Sequence, residues 1–137
     1  MSRLVVLDTN CLVQMISIHS PYRPAWQAFR EGKYVLCVSD EILNEYQEII
    51  ERVANSFVAQ NIVEAIVNSP CCRFYAPHFH FGLIRQDYDD NKFVDCAIQA
   101  GADFIVSEDS HFNVLKECDF PKVVVIGLDE FVAEFFP

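Results

Sequence analysis

Four carboxylates stand where this 137-residue sequence offers them chemistry. Asp8 ends the apolar run LVVL and is followed at once by Thr9 and Asn10. Asp109 closes FIVSED, with Ser107 and Glu108 between it and the last valine. Glu45 and Asp95 lie inside helical patterns, SDEILNEYQEIIERV and DDNKFVDCAIQAG. Two like charges about 4 Å apart repel by about 4 kcal/mol at an effective dielectric near 20. A crevice that gathers these acids therefore needs a cation. Oxygen-only ligands favour Mg²⁺ or Mn²⁺ over zinc. Such ions polarise a phosphoryl oxygen and lower the pKa of a bound water, so an anionic phosphoester is reached through the metal.

Each acid also has a plainer explanation. Glu45 sits at the margin of the stripe Ile42, Leu43, Tyr46, Ile49, Ile50 and Val53, with Glu48 and Glu51 on the far face, and could be an ordinary solvated glutamate. Residues 87–95 hold four aspartates, of which Asp89 or Asp90 could cap the following helix. Asp95 shares a narrow polar strip with Lys92 and Gln99, and periodicity alone does not turn that strip inward. Asp109 could cap a short helix, and His111 in the same loop reads as a surface or packing residue rather than a ligand or base.

The elements that must position these residues alternate. Strands are expected at Leu4–Leu7, Tyr34–Val38, Arg73–Tyr75, Phe104–Val106 and Val123–Ile126. Helices are expected at Pro24–Arg30, Asp40–Val53, Ser56–Asn68, Asn91–Ala100 and Asp129–Phe135. Such alternation implies right-handed crossovers and a parallel sheet covered on both faces. Sites in these sheets collect beyond the carboxyl ends of the strands. Asp8 and the Ser107–Asp109 segment both follow strands, which makes a shared site at one sheet edge.

The length suits one compact domain over residues 1–137. Hydrophobic residues make up 52 %, including twelve Phe, enough for a sizeable core. No apolar run reaches the roughly 20 residues that span a bilayer, and Asp8 interrupts the N-terminus too early for a secretory leader. The expectation is a soluble cytoplasmic protein. Six cysteines without a CxxC pair read as reduced core residues. Cys71, Cys72, His78 and His80 could offer zinc ligands, but adjacent cysteines are not the usual spacing. The net charge of −10 argues against holding nucleic acid on a broad basic surface. It leaves room for a nucleic-acid substrate bridged by a cation, and for a basic protein partner.

LDTN, SDEILNEY, DDNKFVDCA and FIVSEDSHF, in that order, resemble the motifs of PIN-domain ribonucleases, most nearly the VapC-like toxins of bacterial toxin–antitoxin pairs. The resemblance covers nearly the whole chain. It implies a three-layer α/β/α sandwich with a five-stranded parallel sheet, and Mg²⁺- or Mn²⁺-dependent cleavage of single-stranded RNA. It also implies a cognate antitoxin and, commonly, a homodimer. Carried to matching positions, it makes Asp8, Glu45, Asp95 and Asp109 the metal-binding and catalytic acids. Asn10 supports Asp8 through hydrogen bonds, Ser107 orients metal or phosphate, and Asp90 helps or competes with Asp95. Glu108 adds a charge where many relatives have a small residue. Arg23, Arg85 and Lys92 are the candidate phosphate contacts.

Other chemistries fit less well. Haloacid-dehalogenase-like phosphatases need a second acid two residues after the first, and that position is Asn10. A receiver domain needs an aspartate ending its third strand, and RFYAPHF supplies none. A binding module with an idle site remains the alternative class. The segments Trp26–Phe29, Ile62–Val67 and FVAEFFP could then form a docking surface for a partner, although core packing explains them equally well.

Overall fold

A computed structural model describes residues 2–77, 79–85, 88–119 and 121–135. Five parallel strands form one sheet in the order β3-β2-β1-β4-β5. They are β1 (Arg3–Leu7), β2 (Tyr34–Val38), β3 (Cys72–Phe74), β4 (Phe104–Val106) and β5 (Val125–Ile126). The helices are α1 (Thr9–Ile16), α2 (Arg23–Arg30), α3 (Asp40–Val53), α4 (Ser56–Val67), α5 (Asn91–Ala100) and α6 (Leu128–Ala133). A 3₁₀ turn at Tyr88–Asp90 leads into α5, and a 3₁₀ helix at Ser110–Glu117 follows β4. The whole is the expected three-layer α/β/α sandwich.

The strands form where apolar residues run unbroken. In β1, Val5, Val6 and Leu7 are buried, and in β2 all five residues are. Covering both faces makes such runs possible. Helix α5 packs across β1, β2 and β4, while α2 packs on β2 and α6. Ser39 Oγ accepts from the Ile42 amide to start α3, and Asn55 does the same for Val58 in α4. Gly101, at φ 63°, ends α5 in the left-handed conformation that glycine adopts freely.

Eight expected boundaries, in six elements, move by a residue or two, and one helix was not anticipated. Helix α1 begins directly after Asp8, with Cys11, Leu12 and Met15 buried at helical spacing. Its start carries neither a side-chain cap bond nor an acid in the first turn, the usual signs of a helix. The segments weighed as docking surface are largely core. Trp26, Phe29, Ile66 and Phe131 are buried, and Phe131 packs against Tyr34, Phe104 and Phe135 with ring centroids 5.0–5.8 Å apart.

The cysteines are free, and burial pushes the Cys11 and Cys96 thiols up to about 12 and that of Cys72 up to about 11. They behave as small apolar residues. Among the described residues Cys71, Cys72 and His80 join no group of three possible metal ligands; His78 lies outside those residues.

Beneath the tip of β1, the fully buried Tyr46 hydroxyl donates to the Leu7 carbonyl oxygen at 2.6 Å. This bond ties α3 to the residue before Asp8. Tyr46→Phe keeps the ring and removes the donor, and is expected to lower stability by about 1–2 kcal/mol. Urea denaturation measures this, with the midpoint falling and the slope unchanged.

Candidate metal centre

The strand order reverses at β1. From it the chain moves outward to β2 and β3, then crosses to β4 on the other side. Open parallel sheets bind ligands at this kind of switch point, beyond the carboxyl ends of the strands. The register pairs Leu7 with Val106, so Asp8 and Ser107 emerge side by side. The Asp8 amide continues the ladder to the Val106 carbonyl at 3.0 Å.

Asp8 is only 5 % exposed and starts α1, yet its carboxylate caps nothing. Instead Ser107 Oγ donates to Asp8 Oδ2 at 2.9 Å, and the same Oγ accepts from the Asp109 amide at 3.0 Å. Burial raises the Asp8 pKa; the Ser107 bond lowers it, the charges of Asp109 and Glu45 raise it, and the Thr9 amide lowers it. Asn10 was expected to hold Asp8. It is exposed, and the Ser107 hydroxyl and Thr9 amide do the holding. Asn10 lines a hollow of about 430 Å³ with Asp8, Glu108 and Asp109.

Glu45 faces the crevice from α3. One carboxylate oxygen accepts from Thr9 Oγ1, and the other pairs with Lys92 Nζ at 2.7 Å. Lys92 is only 12 % exposed, so this pair is screened little by solvent. The polar strip on α5 splits: Lys92 and Asp95 turn inward and Gln99 turns out. Asp95, 4 % exposed, accepts from the Phe81 amide at 3.1 Å and lies 3.3 Å from His80 Nδ1.

Asp109 Oδ1 accepts from the His111 amide at 2.9 Å, as a helix cap would. The His111 ring also lies 3.5 Å from Asp109 and 3.4 Å from Asp90. Asp90 begins α5 without a side-chain cap bond, so its carboxylate does not serve as the helix cap. Asp90, Asp109 and His111 bring potential ligand atoms within 4.8 Å of one another. Glu108 accepts from the Leu128 amide at 2.7 Å and so anchors the start of α6.

Asp8, Glu45 and Asp109 thus interact at the sheet edge, while Asp95 stands apart from them, lining a second hollow with Lys92, the partner of Glu45. The sequence reading passed over Thr9, His80 and His111 as partners of these acids. Thr9 was legible, since it directly follows Asp8; the two histidines depend on loop paths that periodicity does not encode. Of the phosphate candidates, Lys92 is committed to Glu45, Arg23 donates to the Ile16 carbonyl, and Arg85 is exposed.

The electrostatics are uneven. Glu45 has Lys92, Asp95 has His80, and Asp90 and Asp109 have His111. Among the described residues no Lys, Arg or His pairs with Asp8. The carboxylate most in need of a counter-charge lacks one. Carboxylate, amide and hydroxyl oxygens around it make a donor set suited to Mg²⁺ or Mn²⁺.

Residues 4–111 match the PIN domain family. No curated protein matches the chain. Among solved structures, VapBC2 from Rickettsia felis, bound to a promoter DNA fragment, is 16 % identical with a TM-score of 0.62, covering 90 % of this chain and 98 % of that one. VapC20 of Mycobacterium tuberculosis, a toxin that cleaves the sarcin–ricin loop, is 15 % identical with a TM-score of 0.58, covering 80 % and 92 %. DNA-bound VapBC of Salmonella typhimurium is 17 % identical with a TM-score of 0.60, covering 93 % and 99 %.

The raised Asp8 pKa has a consequence for the metal-free protein. Folding favours the protonated acid, so stability is lost as pH rises from the ordinary value of 3.8 through the raised one. Asp8→Asn removes that loss. Its metal-free melting midpoint is expected above the wild type at pH 7, with the gap closing as pH falls toward 4. Thermal scans in EDTA across this range check it.

Proposed function

Because the chain belongs to the PIN domain family, we propose that it is a divalent-metal-dependent nuclease, and specifically an endoribonuclease for single-stranded RNA acting as the toxin of a toxin–antitoxin pair. The observation that carries this reading is the buried Asp8, paired with no basic side chain among the described residues, beside Asp109 at the sheet's switch point. The similarity in fold to three VapC or VapBC structures supports the toxin assignment. By the same resemblance the protein is a cytoplasmic homodimer that binds an antitoxin protein, and residues 1–137 act as one nuclease unit. No helix among the described residues is long and apolar enough to cross a membrane.

Asp8 and Asp109 would hold the cation, with Glu45 and Asp95 completing the acidic set and Asp90 in support. When bound, the ion supplies Lewis-acid polarisation of a phosphoryl oxygen and a water of lowered pKa. The chain's own groups arrange this. Ser107 fixes the Asp8 rotamer and the Asp109 backbone with a single oxygen. Thr9 and Lys92 hold both oxygens of Glu45. Asn10, at the rim, is placed to meet an incoming phosphate. No side-chain nucleophile is required.

Cleavage of mixed-sequence single-stranded RNA by the purified protein is expected with Mn²⁺ or Mg²⁺ and not with EDTA. Asp8→Asn is expected to abolish it, and Ser107→Ala to reduce it about 10- to 100-fold as an orienting residue. Cleavage that survives EDTA, or that Asp8→Asn leaves intact, would overturn the reading. Mn²⁺ is also expected to raise the melting midpoint of the wild type and not of Asp8→Asn.

A further inference from the structure

The segment between β3 and α5 is pinned from beneath at two points. Asn91 exchanges two 2.8 Å bonds with Ile84, its Oδ1 accepting from the amide and its Nδ2 donating to the carbonyl. Asp95 accepts from the Phe81 amide and faces the His80 ring. Despite this anchoring, two aromatic rings face outward. Phe79 is 69 % exposed and Phe81 40 %, with centroids 6.1 Å apart and planes tilted by 51°. Exposing two neighbouring Phe rings on a fixed loop forgoes the burial that every aromatic ring in the core obtains, which calls for an occupant.

The surroundings say which. Phe81, Leu83 and Arg85 form one wall of a groove of about 540 Å³, and Val114 and Leu115 form the other. Gly82, at φ 62°, lines this groove and also the hollow that holds His80, Lys92 and Asp95. The aromatic pair therefore adjoins the hollow of Asp95, whose carboxylate accepts from the Phe81 amide. The net charge of −10 denies RNA a broad electrostatic grip, and Lys92 is committed to Glu45. Beyond the bridging cation, affinity has to draw on contacts that charge does not oppose. Base–aromatic stacking is such a contact and tolerates any sequence, because every base has a π-face.

Resting on the nuclease reading above, we propose that Phe79 and Phe81 form a stacking platform for bases of single-stranded RNA beside Asp95, with Arg85 meeting the intervening phosphate. The platform selects unpaired over paired RNA, since bases in a duplex are not free to stack on it. Neither ring is needed for the core, so both can be changed without disturbing the fold.

Fluorescence anisotropy of a labelled mixed-sequence RNA dodecamer tests this in the wild-type background, with Ca²⁺, an oxygen-ligated ion, in place of Mn²⁺ or Mg²⁺. Adding Phe79→Ala is expected to weaken binding about five- to 100-fold, while Phe79→Trp restores it, with melting midpoints unchanged. An abasic dodecamer is expected to bind all three proteins alike. Equal affinity for the base-bearing RNA, or the same loss on the abasic strand, overturns the platform. If the wild type cleaves RNA yet the Phe79 variants bind normally, the platform alone fails. If the wild type neither cleaves nor binds RNA, the nuclease reading and the platform fail together.

Discussion

A carboxylate at the end of a strand buried on both faces has lost most of its water, and among the described residues no cationic side chain pairs with Asp8 in exchange. Desolvation of this kind favours the neutral acid, and the nearby charges of Asp109 and Glu45 push the same way. Only hydrogen bonds from Ser107 and Thr9 oppose it. A protein built for stability alone would place an apolar residue or a paired charge here. Ionised Asp8 is the costly form here, and a cation beside it would offset that cost.

The fold answers it through topology. Reversal of the strand order at β1 opens a crevice between the tips of β1 and β4, and the register sets Asp8 against Ser107. Helix α3 then delivers Glu45, held by Tyr46 to the strand below, and α5 delivers Lys92 and Asp95 from one side. Thr9 and Lys92 hold both oxygens of Glu45, whereas among the described residues no basic side chain pairs with Asp8. The acids are not equivalent: each is set by the partner the chain supplies.

Much of this could be read from residue order. Unbroken runs such as YVLCV announce buried parallel strands, and strand tips carrying Asp8 and Ser107–Asp109 announce a shared edge. Ser39 and Asn55 mark their helices, and both cap as their types suggest. What escaped was of two kinds. Helix α1 has helical spacing but lacks the capping signs that separate a helix from a continued loop. The inward turn of Asp95 depends on the Phe81 amide and the His80 ring, which arrive on a loop whose path no periodic pattern encodes. Likewise the split of the polar strip, with Gln99 outward and Lys92 inward, follows from the packing of α5 across β1, β2 and β4 rather than from its own periodicity.

The most direct test of the central claim is the anomalous scattering of Mn²⁺ in crystals of the purified protein. The account predicts a peak bridging the carboxylates of Asp8 and Asp109, absent in Asp8→Asn. A peak held by Asp90 and His111 with Asp8 left uncoordinated, or no peak at saturating Mn²⁺, would contradict it.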